Sequence, residues 1–458
     1  MENKIKIIFY GGVGKPTGSN FLLTDNKDET KILIDCGLTQ GKRVAEEENR
    51  KPFKYNPADI DYLVVTHAHI DHIGLIPKLV KDGFRGKIFS TTPTRDIGTL
   101  MLTDSMGVLG KEARRNKEEP IYLEEDVKNT IALWQDIEYY EEVKMGDFTL
   151  KLKNAGHILG SSIAEFTKDD KKVVFSGDLG NSPAPLLPDT DVINDATVLV
   201  MESVYGDRNH ENREERKSML EDIIEDTIKA GGILMIPVFS LERTQEMLYE
   251  LNDLIENGRI PQVPVYIDSP LAIDVTKVYK KYQSYFNTQA KGVIKSGDDI
   301  FNFPGIKFTY KTEESKAILN HKGPKIIMAG SGMSNGGRII HHEKNYLGDP
   351  KNTLLIIGYQ VPGSLGRRLQ DGTKHVRILG SDIEVQASTR SIHGYSAHKD
   401  SDHLLQFVQN SADTLKKVFV VLGEPKSSLF ITQKIRDYLG LDARVPKQGE
   451  IVEIDLNS

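Results

Sequence analysis

The segment VVTHAHIDHIG gathers metal-ligating side chains at the end of an apolar run. His67 and His69, two residues apart on an extended chain, can point to one side, while Asp71 and His72 at the following turn can reach a second position. Imidazoles and carboxylates are ligands for zinc and related divalent metals. The segment therefore predicts one or two metal sites. Further ligands must come from elsewhere, because a zinc site needs at least three protein ligands.

Two further candidates follow apolar runs in the same way and stand next to glycines. His157 in NAGHILGSS can complete one metal position, and Asp178 in VVFSGDLGN has two oxygens with which to bridge a pair of ions. Asp35 in ILIDCG also follows an apolar run and can orient a ligating histidine from behind. Taken alone, His157 and Asp178 are each more typical of a turn than of a metal site.

The elements that must position these residues follow from hydrophobic periodicity. The first two hundred residues alternate short apolar runs with turn signals, which predicts many strands in a large sheet or sandwich. A helix is predicted in DVKNTIALWQDIEYY, where Ile131, Trp134 and Ile137 recur at helical spacing. From about Tyr205, strands alternate with helices such as LERTQEMLYELNDLIENG, which predicts a doubly wound parallel sheet. After about Val385 this alternation gives way to further helices and strands, so the second domain is predicted to be inserted into the first.

The composition restricts the class of protein. The chain has 458 residues, 38% of them hydrophobic and 27% charged, which is typical of a globular protein of two or three domains. Its apolar runs are shorter than the roughly 20 residues of a membrane span, so no membrane partner is expected. A single cysteine, Cys36, favours a reducing, cytoplasmic location. The net charge of -7 argues against binding nucleic acid by bulk charge, but it does not exclude a nuclease, since bound metals can make a cleft locally positive.

Several motifs together resemble a known family. ILIDCG, THAHIDHIG, NAGHILGSS and FSGDLG resemble the metallo-β-lactamase fold. MESVYGDRNH, IPVFSLERTQE, GSGMSNGGRIIHH, GYQVPGSLGRRLQDG and SIHGYSAHKD resemble its β-CASP branch, which includes ribonuclease J and the cleavage-and-polyadenylation endonuclease. The resemblance implies an α/β chain, an αββα metallo-β-lactamase sandwich with an inserted doubly wound parallel-sheet β-CASP domain. We expect the sandwich in residues 1–205 and 385–458 and the insertion in 206–384.

The resemblance also implies roles for individual residues. The metal ligands would be His67, His69 and His157 for one zinc, Asp71 and His72 for a second, and Asp178 as the bridge. Glu202 matches the acidic motif of the family, and His398 in YSAHKD matches the histidine that it positions. The implied catalytic residues are Asp71, Asp178, Glu202 and His398.

The sequence leaves the pKa of His398 open. A place near the start of a helix would lower this pKa, whereas Glu202 nearby would raise it. The direction matters because a general acid that protonates a leaving oxygen must be a protonated imidazole.

One position departs from the family pattern. RNA-acting members carry a histidine before Gly-Glu at a strand end, which completes the second metal position, whereas VFVVLGEP places Leu422 there. Leucine cannot ligate, so we expect one firm Zn²⁺ site and a second that is weak or conditional, with Mn²⁺ as an alternative ion. DNA-repair members also have an apolar residue at this position, which raises the chance of a DNA substrate.

Substrate contacts are predicted in the inserted domain. The glycine-flanked GSGMSNGGR can present backbone N–H groups to a phosphate, with Ser331 and Arg338 assisting, although a plain turn is equally compatible. Arg367 and Arg368 belong to the densest basic patch of this domain, where a phosphate contact and a solvated loop are equally expected. His342 is predicted to lie on a helix surface.

These observations predict a metal-dependent ribonuclease that hydrolyses phosphodiester bonds by metal-activated water in a cleft between the two domains. Single-stranded RNA is the expected substrate, and a homodimer is compatible with the sequence. Two other kinds of function stay open. One is a DNA nuclease or a small ester or thioester hydrolase of the same fold, and the other is a non-catalytic RNA-binding paralogue with an incomplete second metal site.

Overall fold

A computed structural model describes residues 4–27, 29–41, 43–211, 213–361 and 363–456, with the side chains of 43–46 and 213–214 left aside. The predicted domain bounds at residues 1 and 458, and Pro362 of the GYQVPGSLGRRLQDG segment, lie outside the described residues. The chain packs as two compact units. The first unit comprises the chain up to Ala184, Asp189–Asn209 and the chain from His398 onward, and the second comprises Pro185–Pro188 and His210–Ala397.

Strands dominate the described chain up to β11, and helices and strands are more evenly mixed after it. The strands are β1 (Lys4–Phe9), β2 (Phe21–Asp25), β3 (Lys31–Ile34), β4 (Tyr62–Val64), β5 (Lys87–Ser90), β6 (Trp134–Asp136), β7 (Glu142–Met145), β8 (Phe148–Asn154), β9 (Ser162–Lys168), β10 (Lys171–Phe175), β11 (Val198–Met201), β12 (Ile233–Pro237), β13 (Val265–Asp268), β14 (Ile306–Phe308), β15 (Lys325–Ala329), β16 (Thr353–Ile356), β17 (His375–Ile378), β18 (Ser381–Glu384), β19 (Ser388–Ser391), β20 (Lys417–Val420), β21 (Ala443–Arg444) and β22 (Ile451–Asp455). The helices are α1 (Arg43–Arg50), α2 (Ile70–Ile73), α3 (Ile76–Lys81), α4 (Thr92–Asn116), α5 (Glu124–Leu133), α6 (Arg213–Lys229), α7 (Arg243–Glu256), α8 (Pro270–Lys281), α9 (Thr288–Lys295), α10 (Thr312–Ala317), α11 (Ile339–Tyr346), α12 (Leu365–Gln370), α13 (Ser401–Gln409) and α14 (Pro425–Leu439). Among these described elements, no helix combines the length and the apolar character needed to cross a membrane.

Two sheets build the first unit. One has the strand order β22-β1-β2-β3-β4-β5-β6, and the other has the order β21-β20-β11-β10-β9-β8-β7. Their inner faces share one apolar core, in which Phe9 lies 5.3 Å from Phe419 and Phe21 lies 6.1 Å from Phe175 between ring centroids. Helices α13 and α14 pack on the other face of the second sheet. The arrangement confirms the predicted sandwich.

The strands that precede the candidate residues end at matching edges of the two sheets. β3 and β4 are parallel neighbours in one sheet, and β10, β11 and β20 are parallel neighbours in the other. Asp35 follows β3 and His67 follows β4, while Asp178, Glu202 and Leu422 follow β10, β11 and β20. Carboxyl ends of parallel strands meet at one edge, so this order gathers polar side chains from distant parts of the chain.

The helix predicted over DVKNTIALWQDIEYY is wrong in its second half. Helix α5 ends at Leu133, and Trp134 begins β6, which pairs in parallel with β5. The buried Trp134 indole donates from Nε1 to Ser90 Oγ at 2.9 Å, and Ile137 joins the core between the sheets. The apolar residues were spaced as in a helix, but the structure shows that Trp134 and Ile137 are apolar because they are buried against the sheet.

The second unit contains a parallel sheet in the order β14-β13-β15-β12-β16-β19, in which the neighbouring strands pair in parallel. Helices α7, α8 and α11 follow β12, β13 and β15 in the chain. The predicted helix LERTQEMLYELNDLIENG corresponds to α7, and its apolar side chains are buried: Met247, Leu248, Leu251, Leu254 and Ile255. The predicted alternation of parallel strands and helices is confirmed.

Candidate metal centre

Four side chains of the first unit converge on one point. Their ligand atoms all lie within 4.8 Å of one another, and they belong to His67, His69, His157 and Asp178. His69 Nδ1 lies 3.0 Å from His67 Nε2 and 3.2 Å from His157 Nε2. Asp178 Oδ2 lies 3.5 Å from His67 Nε2 and 3.6 Å from His157 Nε2. Three imidazoles and a carboxylate form a donor set suited to a divalent cation such as zinc.

The three imidazoles favour the neutral form that ligates metals. Burial lowers the pKa of His67, and it lowers the pKa values of His69 and His157 well below the usual range. Neutral imidazoles each keep one nitrogen lone pair, and nitrogen atoms this close together cannot all be satisfied by sharing protons. A cation placed among them satisfies every lone pair, so these residues fit a divalent metal.

Asp35 orients the His72 ring through Nδ1, the ring nitrogen that does not face Asp178. His72 Nδ1 lies 2.7 Å from Asp35 Oδ2, and its Nε2 lies 3.4 Å from Asp178 Oδ1. This Nε2 is buried and has no hydrogen-bond partner among the described residues. In the neutral ring, which is the form that ligates a metal, donation from Nδ1 to Asp35 leaves the lone pair on Nε2, the nitrogen that faces Asp178.

The charge around His72 also favours a cation. Burial alone would lower the pKa of His72, but the carboxylates of Asp178 and Asp35 outweigh burial and hold this pKa well above its usual value. Burial raises the pKa of Asp71, which lies in the first turn of α2. The raised pKa of His72 reflects buried negative charge that a divalent cation would offset.

Asp35 is itself held by two residues that sequence reasoning missed. Its carboxylate is 1% exposed and accepts hydrogen bonds from Thr66 N at 2.8 Å and from Ser19 Oγ at 3.0 Å. Thr66 Oγ1 also reaches both carboxylate oxygens, at 3.1 and 3.0 Å. Thr66 directly precedes the first histidine of the motif, which is a usable signal, whereas Ser19 lies far away in the sequence and is marked only by the fold.

The loops that carry these residues touch backbone to backbone. A Cβ atom at Gly37 would lie 1.5 Å from the carbonyl oxygen of Asp71, so this position of ILIDCG requires glycine. Next to it, Cys36 N donates to His72 O at 2.8 Å. The close approach fixes the Asp71–His72 turn against the loop that contains Asp35.

A second group of ligand atoms shares Asp178, and its His398 ring lies 4.6 Å from the His157 ring between centroids. The ligand atoms of Asp178, Glu202 and His398 also lie within 4.8 Å of one another. His398 Nδ1 lies 3.2 Å from Glu202 Oε2 and 3.9 Å from Asp178 Oδ2. Glu202 is fully buried, and its Oε1 accepts the N–H of Leu179 at 2.6 Å. Asp178 therefore belongs to both groups, whereas Asp71 and His72 belong to neither.

Glu202 settles the protonation of His398. Burial works against the charged imidazole, but the adjacent Glu202 carboxylate outweighs burial and raises the pKa of His398 to about 9. Helix α13 begins only at Ser401, with Asp400 as its N-cap. Because a pKa of about 9 lies above neutral pH, His398 carries a proton there.

Backbone hydrogen bonds to the loops after β10 and β11 hold the segment around His398 in place. His398 forms an antiparallel bridge with Gly180, and Asp400 forms a parallel bridge with Tyr205. Lys399 N also donates to Leu179 O at 2.8 Å. These bonds hold the histidine between the loops that follow β10 and β11.

Leu422 fills apolar space at the same edge. Its side chain is 1% exposed and belongs to the core between the sheets. Its backbone is left-handed, with φ of 49°, and its N–H donates to Gly12 O at 2.6 Å. A Cβ atom at Gly12 would lie 2.7 Å from Leu422 Cδ2, so the Leu422 side chain fits here because position 12 is a glycine.

The predicted substrate contacts lie in the second unit, and each has an intramolecular partner. Arg338 donates to Asp268 Oδ1 at 2.7 Å, and Ser331 Oγ accepts the N–H of the residue four positions later at 3.2 Å. Arg367 Nε lies 3.0 Å from the carboxylate of an aspartate one helical turn later. Arg368 reaches a backbone carbonyl at 3.4 Å. Their contact with substrate stays a prediction.

The predicted surface position of His342 is wrong. The residue is 2% exposed, and its Nε2 lies 2.8 Å from Asp268 Oδ2. Burial would raise the pKa of Asp268, but hydrogen bonds from His342, Ser315, Thr309 and Arg338 lower it to about 2. The partner of His342 lies 74 positions away, so the helical pattern alone could not reveal it.

Comparison with known families assigns three parts of the chain. Residues 23–205 match the profile described as a metallo-beta-lactamase superfamily domain. Residues 244–369 match the Beta-Casp domain, and residues 382–446 match the Zn-dependent metallo-hydrolase RNA specificity domain.

Similar proteins span nearly the whole chain. Ribonuclease TTHA0252 of Thermus thermophilus is 34% identical over 450 residues, which cover 98% of this chain and 100% of the relative. An RNase J-like protein of Methanocaldococcus jannaschii is 33% identical over 93% of this chain and 94% of its own length. Transcription termination factor FttA of Methanosarcina mazei is 32% identical over 98% of this chain and 72% of its own length. The crystal structure of a protein of unknown function from Enterococcus faecalis V583 shares the fold, with a TM-score of 0.57 at 12% identity over 98% of this chain and 100% of that one.

The Asp35–His72 contact predicts a defined effect on metal affinity. In Asp35→Asn, an amide NH₂ facing His72 would favour the tautomer with a proton on Nε2, which removes the lone pair that faces Asp178. We expect divalent metal affinity to fall by about 10- to 100-fold, measured by chelator competition. Ser19→Ala removes another hydrogen bond to the same carboxylate without this reversal and should bind metal almost normally. Equal affinity in wild type and Asp35→Asn would contradict the orienting role.

Proposed function

The chain belongs to the β-CASP branch of the metallo-β-lactamase superfamily, and from that premise we propose that it is a metal-dependent ribonuclease acting on single-stranded RNA. The observation that carries the proposal is the position of Asp178. Its carboxylate belongs both to the group with the three imidazoles and to the group with Glu202 and His398. A bound metal ion and a proton donor can therefore act on the same phosphodiester bond.

We assign the metal ligands from these positions. His67, His69, His157 and Asp178 would hold one zinc ion, while Asp71 and His72 would share Asp178 with a second ion, zinc or manganese. Leu422 supplies no ligand, so the second ion would bind more weakly. Bound divalent ions act as Lewis acids that make water nucleophilic at neutral pH and offset charge on phosphate oxygens.

The chain itself supplies the proton for the leaving oxygen. His398 is charged at neutral pH and lies 3.9 Å from Asp178 Oδ2, next to the ligand group. Glu202 contacts Nδ1 and fixes the ring, and we assign Nε2 as the nitrogen that donates the proton to the leaving oxygen. In this mechanism His398 is the general acid and Glu202 keeps it charged and oriented.

RNA is favoured over DNA by the relatives. Two proteins that match almost all of this chain are named as a ribonuclease and as RNase J-like. The profile matched by residues 382–446 is named for RNA specificity. A DNA substrate, a small ester or thioester, and binding without catalysis are separate outcomes of the tests that follow.

The substrate prediction compares matched oligonucleotides. We expect the wild-type protein to cleave end-labelled single-stranded RNA faster than DNA of the same sequence, because the RNA-specificity profile covers part of the chain. Chelation should abolish cleavage, and zinc or manganese should restore it. Equal or faster cleavage of DNA under several divalent metals would overturn the choice of substrate.

A second prediction separates metal ligation from proton transfer. Asp178→Ala should lose both bound metal and activity, because this carboxylate faces both proposed ions. His398→Ala should keep the metal and the fold and lose cleavage by roughly 100-fold or more. Metal content by elemental analysis and rates on labelled RNA measure the two effects. Loss of metal from the histidine variant would refute its assignment as the acid.

A third prediction concerns the missing ligand. We expect Leu422→His to raise the bound metal toward two ions per chain and to lower the metal concentration needed for activity, since a strand-end imidazole adds a ligand. The variant should also unfold at a lower temperature, because a polar ring replaces a side chain that is 1% exposed in the core.

Leu422→Met is the matched control, because it keeps the apolar volume and should retain the wild-type zinc titration. Zinc and manganese titrations of metal-free wild type and of both variants separate the outcomes. Identical single-site isotherms in wild type and Leu422→His would eliminate the explanation by a missing ligand.

A further inference from the structure

An exposed aromatic ring lies between two lysines on α14. Lys426, Phe430 and Lys434 are spaced four residues apart, so they lie along one side of the helix. Phe430 is 51% exposed although it is a large apolar residue. We name Lys426, Phe430 and Lys434 the α14 stripe.

Both lysines of the stripe have acidic partners. Lys426 Nζ lies 3.3 Å from Asp207 Oδ2. Lys434 Nζ lies 2.5 Å from Asp402 Oδ1 and 3.1 Å from Ser401 Oγ. Phe430 therefore lies between two cationic side chains on the same helix.

Asp207 belongs to the segment that follows Glu202, and Asp402 bonds to the same segment. Asp207 Oδ1 lies 3.0 Å from Arg208 Nε, and Asp402 Oδ2 accepts from Asn209 Nδ2 at 2.8 Å. Three cationic side chains, on Arg208 and the two lysines, therefore surround two carboxylates.

This surface begins beside the proposed acid. The Arg208 guanidinium lies 5.4 Å from the ring centroid of Tyr205, and the Tyr205 ring lies 6.3 Å from the His398 ring. Gly206 packs directly on α14, since a Cβ there would lie 2.7 Å from the carbonyl oxygen of Ser427. These contacts place the segment that contains Tyr205 and Gly206 between His398 and α14.

An exposed aromatic ring flanked by cations suits single-stranded nucleic acid, because a base stacks on the ring while neighbouring phosphates contact the positive groups. We propose that Phe430 is a stacking platform for a base of single-stranded RNA that extends beyond the metal centre, with Lys426 and Arg208 contacting its backbone. The inference rests on the proposed function and adds a second contact point to the same substrate. It assigns a binding role to a helix that contributes no metal ligand.

The test measures binding and cleavage separately. The substrates are a fluorescent single-stranded RNA about 10 nucleotides long and a small chromogenic phosphodiester that can occupy only the metal centre. Phe430→Ala should bind the RNA roughly ten-fold more weakly by fluorescence anisotropy and raise its KM, with little change in kcat. Hydrolysis of the small phosphodiester should be unchanged. Binding is measured in the His398→Ala background so that the RNA stays intact.

Two controls separate stacking from general surface damage. Leu429→Ala changes the neighbouring residue, which is 62% exposed and lies off the stripe, and it should bind RNA like wild type. Phe430→Trp keeps a stacking face and should retain affinity. Lys426→Gln should lower the slope of log affinity against log salt by about 0.7, as expected for one phosphate contact on a single strand.

The outcomes distinguish the platform from the ribonuclease assignment. Dependence of RNA affinity on Phe430 in a protein that does not cleave RNA would support the platform and refute the ribonuclease. RNA cleavage with Kd and KM unaffected by Phe430→Ala would refute the platform alone. If Phe430→Ala changes the sedimentation of the protein and leaves RNA affinity intact, the ring belongs to an interface between copies of the chain and the inference is wrong.

Discussion

A carboxylate buried among imidazoles is the constraint on which the first unit depends. Asp178 is 5% exposed, and although burial disfavours its charge, His72 and His67 lower its pKa well below the usual value. A buried anion is stable only when positive charge or directed donors surround it. The strand ends that supply His67 and Glu202, and the loop that supplies His157, therefore have to meet at this point. The order of parallel strands at the sandwich edge achieves that meeting.

The metal-site geometry shows which parts of a site a sequence can reveal. Histidines and aspartates in short motifs after apolar runs were predicted as candidates, and the family resemblance and the sandwich were confirmed. The support around them was not predicted, because Ser19 approaches Asp35 only through the fold. The sign of the His398 pKa shift also needed three dimensions, since the helix dipole and Glu202 act in opposite directions and only their distances decide.

Two structural predictions were wrong because the sequence pattern does not show which side chains are buried. Trp134 follows helical spacing, yet it begins a strand because the sheet buries it. His342 occupies a helix that reads as partly exposed, yet it turns inward to a carboxylate from β13. In both cases a partner far away in the sequence determined the outcome, and periodicity contains no information about that partner. The domain bounds and the roles of the site residues stay predictions until they are measured.

The discontinuous build of the first unit has a consequence during protein synthesis. Asp178 and Glu202 leave the ribosome more than 190 residues before His398, which bonds to Glu202 across a separation of 196 positions. Strand β22, near the end of the described chain, pairs with β1 near its start. While the second unit is being translated, the nascent chain therefore lacks both the proposed acid, His398, and the strands β20 and β22 that complete the two sheets. The order of translation by itself delays the appearance of a complete catalytic centre until almost the whole chain has emerged.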